Sequence, residues 1–112
     1  MLAKANRVVR GDDYRITVRR GTRVTGAVTI TYLRRVADER PPRFGFIVGK
    51  GVGNAVIRNR VRRRLKAIAF ELVAGLSPGT DVVVRALPAA AQAPWTTLQE
   101  DIHRAVDRVG AR

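Results

Sequence analysis

The chain has no cysteine, one histidine and only nine acidic residues among 112. Without cysteine there is neither a disulfide framework nor a thiolate metal site. The lone histidine, His103, falls beside the apolar stripe of a predicted C-terminal helix and reads as an edge residue, so no nucleophile–histidine set can be proposed. The acids Asp12-Asp13, Asp38-Glu39 and Glu100-Asp101 come as adjacent pairs. Neighbouring side chains diverge on helix or strand, so these read as end charges and not as a carboxylate cluster for two metals. No apolar run approaches the roughly 18 residues of a membrane span, and Met1 to Asn6 lacks the apolar stretch of a signal peptide. The expected compartment is the cytoplasm, with no membrane partner. Gly45, Gly49, Gly51 and Gly53 lie close together but lack the Gly-Lys-Ser/Thr ending of a phosphate-binding loop and the dinucleotide spacing.

What is abundant is positive charge. The formal net charge is +13, and it is polarised. Residues 1–66 hold 18 Lys and Arg against 4 Asp and Glu; residues 67–112 hold 4 against 5. No acid occurs between Glu39 and Glu71. Within that stretch, Arg58, Arg60, Arg62, Arg63, Arg64 and Lys66 make six cations in nine residues. The apolar residues Ile57, Val61, Leu65, Ile68 and Leu72 recur at helical spacing and fall within about 80° of one another at 100° per residue. One stripe therefore packs on a core while Arg58, Arg62 and Lys66 stack along a flank. Like charges four apart repel, so the helix calls for an anionic neighbour, and a chain of phosphates fits best.

The remaining pattern is mixed α/β. Asp12-Asp13 at the start, Arg19-Arg20 at the end and a closing Gly21 are helix-end signals, although the β-branched content between them suits a strand. Val24 to Tyr32 alternates, with Val24, Gly26, Val28, Ile30 and Tyr32 expected on one face of a strand. Arg43 to Val48 reads as a second strand with Phe44, Phe46 and Val48 on one side. Asn54 is a good cap for the basic helix. Asp81 to Arg85 reads as a short strand buried on both faces. Thr97 with Glu100 three residues on predicts a capping box before a final helix marked by Leu98, Ile102, Val106 and Val109. At this length the expectation is a single domain, 1–112, with a modest core and no room for an embedded catalytic cleft with its own lid. Helices laid over a small sheet make an α+β two-layer sandwich.

The basic segment also carries a resemblance. Gly53-Asn54-Ala55-Val56, then Arg58-Asn59-Arg60, the pair Arg62-Arg63 and Lys66 three further on resemble the RNR signature of the bacterial ribonuclease P protein subunit. The resemblance implies the order αβββαβα, like domain 2 of ribosomal protein S5, with a left-handed βαβ crossover, and it settles Asp12 to Arg20 as a helix. It implies a subunit without chemistry of its own: the catalyst is an RNA with bound Mg2+, and the protein assists removal of the 5′ leader from precursor tRNA. Arg58, Asn59, Arg60, Arg62, Arg63 and Lys66 would dock on the catalytic RNA. Tyr14, Tyr32, Phe46, Val48 and Lys50 would line a cleft for the single-stranded leader. Val18 stands where some members have an aromatic, and Gly49-Lys50-Gly51 replaces the commoner Ser-Lys-Lys. The alternative is a ribosomal or other structural RNA-binding protein of similar fold. A self-sufficient nuclease would need the missing acid cluster, and no second module or dimer seam suggests DNA.

Overall fold

The computed structural model describes residues 2–112. Helix α1 spans Gly11–Arg20, strands β1, β2 and β3 span Thr22–Thr25, Thr29–Arg35 and Arg43–Ile47, helix α2 spans Ala55–Val73, β4 spans Thr80–Ala86 and α3 spans Trp95–Arg108. Short 3-10 turns at Lys4–Asn6, Lys50–Val52 and Pro88–Gln92 join them. The order is the expected αβββαβα. The sheet runs β1-β2-β4-β3, antiparallel except for the parallel β3–β4 pair. A parallel neighbour requires a crossover, and α2 supplies it.

β4 is the centre of the molecule. Its Val82 and Val84 enter the main core with Val61, Leu65, Ile68 and Leu72 of α2 and Leu98, Ile102 and Val106 of α3. Val83, one residue out of phase, enters a smaller cluster with Ile30 and Tyr32, against which Tyr14 and Val18 of α1 pack. The strand is thus buried on both faces, as its unbroken apolar run indicates. Helices α2 and α3 cover one side of the sheet; α1 covers part of the other.

Two local expectations need correction. Val24 to Tyr32 is not one strand. It is a hairpin, β1 and β2, turning through Gly26 to Val28. The alternating pattern runs across that turn and so disguises it. Val24 and Val28 end in the main core, Ile30 and Tyr32 in the cluster beneath α1. Thr97 does not cap the last helix either. α3 begins three residues earlier than such a cap implies, with Pro94 in the cap position, whose carbonyl accepts the Thr97 and Leu98 N–H groups at 3.1 and 3.4 Å.

Asp101 on α3 explains the hairpin turn. This carboxylate is buried and accepts hydrogen bonds from the N–H groups of Ala27, Val28 and Thr29 and from the Thr29 hydroxyl, at 2.9 to 3.0 Å. A Cβ at Gly26 would come within 2.4 Å of its Cγ, so only glycine lets the carboxylate close on the turn. A second buried carboxylate, Asp81 on β4, accepts from Arg43 Nε at 2.9 Å and from Arg40 Nη2 and Arg43 Nη2 at 2.8 Å. Hydrogen bonding to Asp81 raises the Arg43 pKa above the ordinary arginine value; burial opposes this, and the charges of Asp81 and Asp13 add to it. Removing a partner from buried donors costs about 1–3 kcal/mol for each group left unpaired. Asp101→Ala is therefore expected to lower the unfolding free energy by about 3 kcal/mol or more, with Asp101→Asn, which retains one acceptor, losing less. Urea unfolding of the two variants beside wild type checks this, and equal midpoints for Asp101→Ala and wild type would refute the anchoring role.

Candidate nucleic-acid interface

The basic helix starts sharply. Gly53 has φ 156° and ψ −166°, a conformation that side chains avoid, and a Cβ there would lie 2.9 Å from Ile57. Asn54 then caps α2, its Oδ1 accepting the Ile57 N–H at 3.0 Å. Val61, Leu65, Ile68 and Leu72 are buried as the periodicity predicts, which fixes the rotation of the helix and turns its cations outward. No residue from Arg58 to Lys66 has a carboxylate partner among the described residues. The chain's arginine–carboxylate pairs involve Arg15, Arg40, Arg43 and Arg112 instead.

The cations of α2 are not equivalent. Arg60 donates to the Ala91 carbonyl at 2.8 Å and Arg64 to the Ala93 carbonyl at 3.2 Å, so both brace the Pro88–Gln92 turn and its exit. Arg62 donates to the Val48 carbonyl and to Asn59 Oδ1, at 3.2 and 3.1 Å. Arg58 is half-buried, and its Nε has no hydrogen-bond partner among the described residues. Asn59, Arg63 and Lys66 are exposed. With Arg62, Arg7 and Phe70 they line a groove of about 780 Å³ on the outer side of the helix, and Glu71 is its only acid.

A second groove, about 450 Å³, lies on the opposite side of the sheet between α1 and the strands, lined by Tyr14, Arg15, Val18, Arg19, Ile47 and Arg85. Through Ile47 and Arg85 it continues into a recess of about 270 Å³ beside Gly49, Gly51 and Pro88. Three cations and no acid border the larger part. The residues expected in this cleft divide. Tyr14 is there, its ring seated on Gly45, where a Cβ would come within 2.6 Å, and its hydroxyl accepting the Phe46 N–H at 3.2 Å. Lys50 is exposed between the glycines at the recess. Tyr32 faces the same side but is buried, with the Arg85 guanidinium 5.7 Å above its ring. Phe46 and Val48 belong to the other face, with the main core. Strand alternation requires this: Phe44 is fully buried beneath α2, so Phe46 and Val48 share its side. Ile47 takes the floor position, and Arg85 is a cation that the pattern of residues 81–85 did not single out.

The two surfaces meet at the outer edge of β3, where the N-terminal segment pairs with the strand through an Arg7–Phe44 bridge. A recess of about 170 Å³ there is lined by Tyr14, Phe46 and Lys66 among others. One face of the molecule thus carries a helix whose Arg58–Lys66 stretch holds no acid and, around the sheet edge, a cationic groove with an aromatic at its end. A sequence profile of one family, described as Ribonuclease P, matches residues 2–110. The chain belongs to the ribonuclease P protein family. Ribonuclease P protein component of Clavibacter michiganensis subsp. michiganensis is 51% identical over 108 residues, covering 96% of both chains. That of Beutenbergia cavernae is 45% identical over 112 residues, covering 100% of this chain and 94% of the relative. The solved RNase P protein of Staphylococcus aureus has the same fold at 21% identity, with a TM-score of 0.84 over 96% of this chain and 98% of that one. The protein from Thermotoga maritima matches at 19% identity and a TM-score of 0.78, covering 91% and 96%. As a member of the ribonuclease P protein family, the chain is the protein component of a tRNA-processing ribonucleoprotein endonuclease in which the RNA is the catalyst, and its partner is that RNA. Among the described residues no helix is long and apolar enough to cross a membrane, and no group of three His, Asp or Glu could hold a metal.

The glycines before α2 differ in what they tolerate. A Cβ at Gly51 would meet nothing nearer than Pro88 Cγ at 3.9 Å. Gly51→Lys should leave stability within about 0.5 kcal/mol of wild type, like other unconstrained surface changes. Gly53→Ala should cost about 1–3 kcal/mol through backbone strain. Chemical unfolding of both variants decides, and a Gly53→Ala protein as stable as wild type would show that the turn can relax.

Proposed function

We propose that the chain docks on ribonuclease P RNA through the outer face of α2 and holds the 5′ leader of precursor tRNA in the groove between α1 and the sheet. The observation that carries the reading is the row of α2 cations, turned outward by a buried opposite stripe and left without carboxylate partners. Arg58, Asn59, Arg62, Arg63 and Lys66 would face the RNA. Arg60 would divide its guanidinium between the Ala91 carbonyl and a phosphate, and Arg64 would serve the fold.

Single strands are held by stacking on aromatics and by cations along the phosphates. In the leader groove Tyr14 offers the aromatic, and Arg15, Arg19, Arg85 and Lys50 offer the charge. With Val18 in place of an aromatic and Tyr32 covered by Arg85, this groove has fewer stacking rings and more guanidinium than the resemblance implies. Guanidinium planes also stack on bases, so Arg85 supports the same task by other means. A leader held here makes precursor bind better than mature tRNA, which is differential binding by a subunit that performs no bond cleavage. Mg2+ held mainly by the RNA would supply the hydrolytic chemistry. A cationic protein between two polyanions lowers their repulsion and hence the Mg2+ required. The reaction's expected place is the cytoplasm.

The test is precursor-tRNA cleavage by the source organism's ribonuclease P RNA at low Mg2+. Wild-type protein should restore cleavage. Arg63→Ala/Lys66→Ala should be slower by about tenfold or more, and should recover as Mg2+ rises and screens the phosphates. Cleavage that ignores the protein, despite tight RNA binding, would contradict the reading and favour a structural RNA-binding role.

A further inference from the structure

Phe70 is 52% exposed, although α2 has a core to bury it in. A single exposed apolar residue is ordinary; its company here is not. Phe70 lies one helical turn beyond Lys66 and two beyond Arg63, so the three share a face. Its ring borders the 780 Å³ groove that Arg63, Lys66, Arg62 and Arg7 also line. Ala67, small and a turn before Phe70, leaves the groove open along the ring. The one acid there, Glu71, accepts a hydrogen bond from Gln99 of α3 at 3.0 Å and is thereby drawn toward that helix.

A surface for duplex phosphates alone has no use for an apolar ring in a roomy groove. A second copy of the chain would bring the same cations into opposition. An unpaired nucleotide matches both properties, because its base presents a π-face and its neighbours carry phosphates on either side. We propose that Phe70 is a base-stacking residue: the groove takes an unpaired base of the ribonuclease P RNA against the Phe70 ring, with the adjoining phosphates at Arg63 and Lys66. This rests on the docking role of α2 and adds to it a recognition element that distinguishes a looped-out base from a helical stem.

The experiment measures binding of wild type, Phe70→Ala, Phe70→Leu and Phe70→Trp to full-length ribonuclease P RNA from the source organism over a range of salt, with sedimentation of each protein alone. Because the residue is exposed, all four should fold alike. Phe70→Ala and Phe70→Leu should both bind about tenfold or more weakly, within the range for loss of one stacked base, with an unchanged salt slope. Phe70→Trp should bind as wild type, with its added indole emission quenched by RNA. Leucine binding as well as phenylalanine would reduce the contact to apolar filling and overturn the proposal. So would wild-type affinity in Phe70→Ala, or an effect of Phe70→Ala on self-association alone. Failure of wild type itself to bind the RNA would instead overturn the docking role on which the proposal depends.

Discussion

Mutual repulsion among 22 cations, held within a radius of gyration of 12.8 Å, is the constraint around which this chain is arranged. Nine acids cannot neutralise them. The fold uses several of those acids internally. Asp101 binds the hairpin turn to α3, and Asp81 binds Arg40 and Arg43 to the centre of the sheet. Both are buried and so do nothing to neutralise the outer face. Asp12, Asp13, Asp38 and Asp107 pair with arginines outside α2. What remains is a helix whose cations have backbone carbonyls and the neutral Asn59 side chain, and no carboxylate, as partners among the described residues. Net charge of this kind opposes compaction and favours association with a polyanion. The energetic cost of the free fold and the affinity for RNA have the same origin.

Rigidity then turns charge into a defined surface. The strained Gly53, the Asn54 cap and the buried stripe from Val61 to Leu72 fix where α2 begins and how it is rotated. The parallel β3–β4 pair places Tyr14 and Lys66 on either side of one strand edge. On the proposed docking, catalytic RNA and leader would be met by one small body, with the β3 edge between them. Arg60 and Arg64 show that a basic motif is not a uniform patch: two of its six cations also hold the Pro88–Gln92 turn and its exit in place.

The α2 stripe, the Asn54 cap and the two-sided burial of β4 are legible in the sequence, because each rests on local periodicity or a local cap, whereas the full order of elements, with α1 as a helix, rests on the family resemblance. The β1–β2 turn is not legible. Gly26 is required by Asp101, 75 residues away, and nothing near it breaks the alternation that runs from Val24 to Tyr32. The Glu100-Asp101 pair likewise reads as helix-end charge in the sequence, because the donors to Asp101 lie more than 70 residues away along the chain. The cleft was half legible. Tyr14 lines the groove and Lys50 stands exposed between two glycines of its recess, whereas Phe46 and Val48 share the buried side of Phe44, which strand alternation already implies. Arg85 is not marked in the sequence, because its place over Tyr32 depends on the register of the adjacent strand, which single-chain pattern does not reveal.

The central claim is that exposed α2 cations without acid partners meet phosphates while their braced neighbour serves the fold. The most direct test is the slope of log K against log salt for ribonuclease P RNA binding, measured for wild type, Arg63→Ala/Lys66→Ala and Arg64→Ala. Each lost phosphate contact should make the slope shallower by about 1. The account predicts a change of about 2 for the double variant, and a wild-type slope with reduced thermal stability for Arg64→Ala. Equal slopes in the double variant and wild type, or a shallower slope in Arg64→Ala, would contradict it.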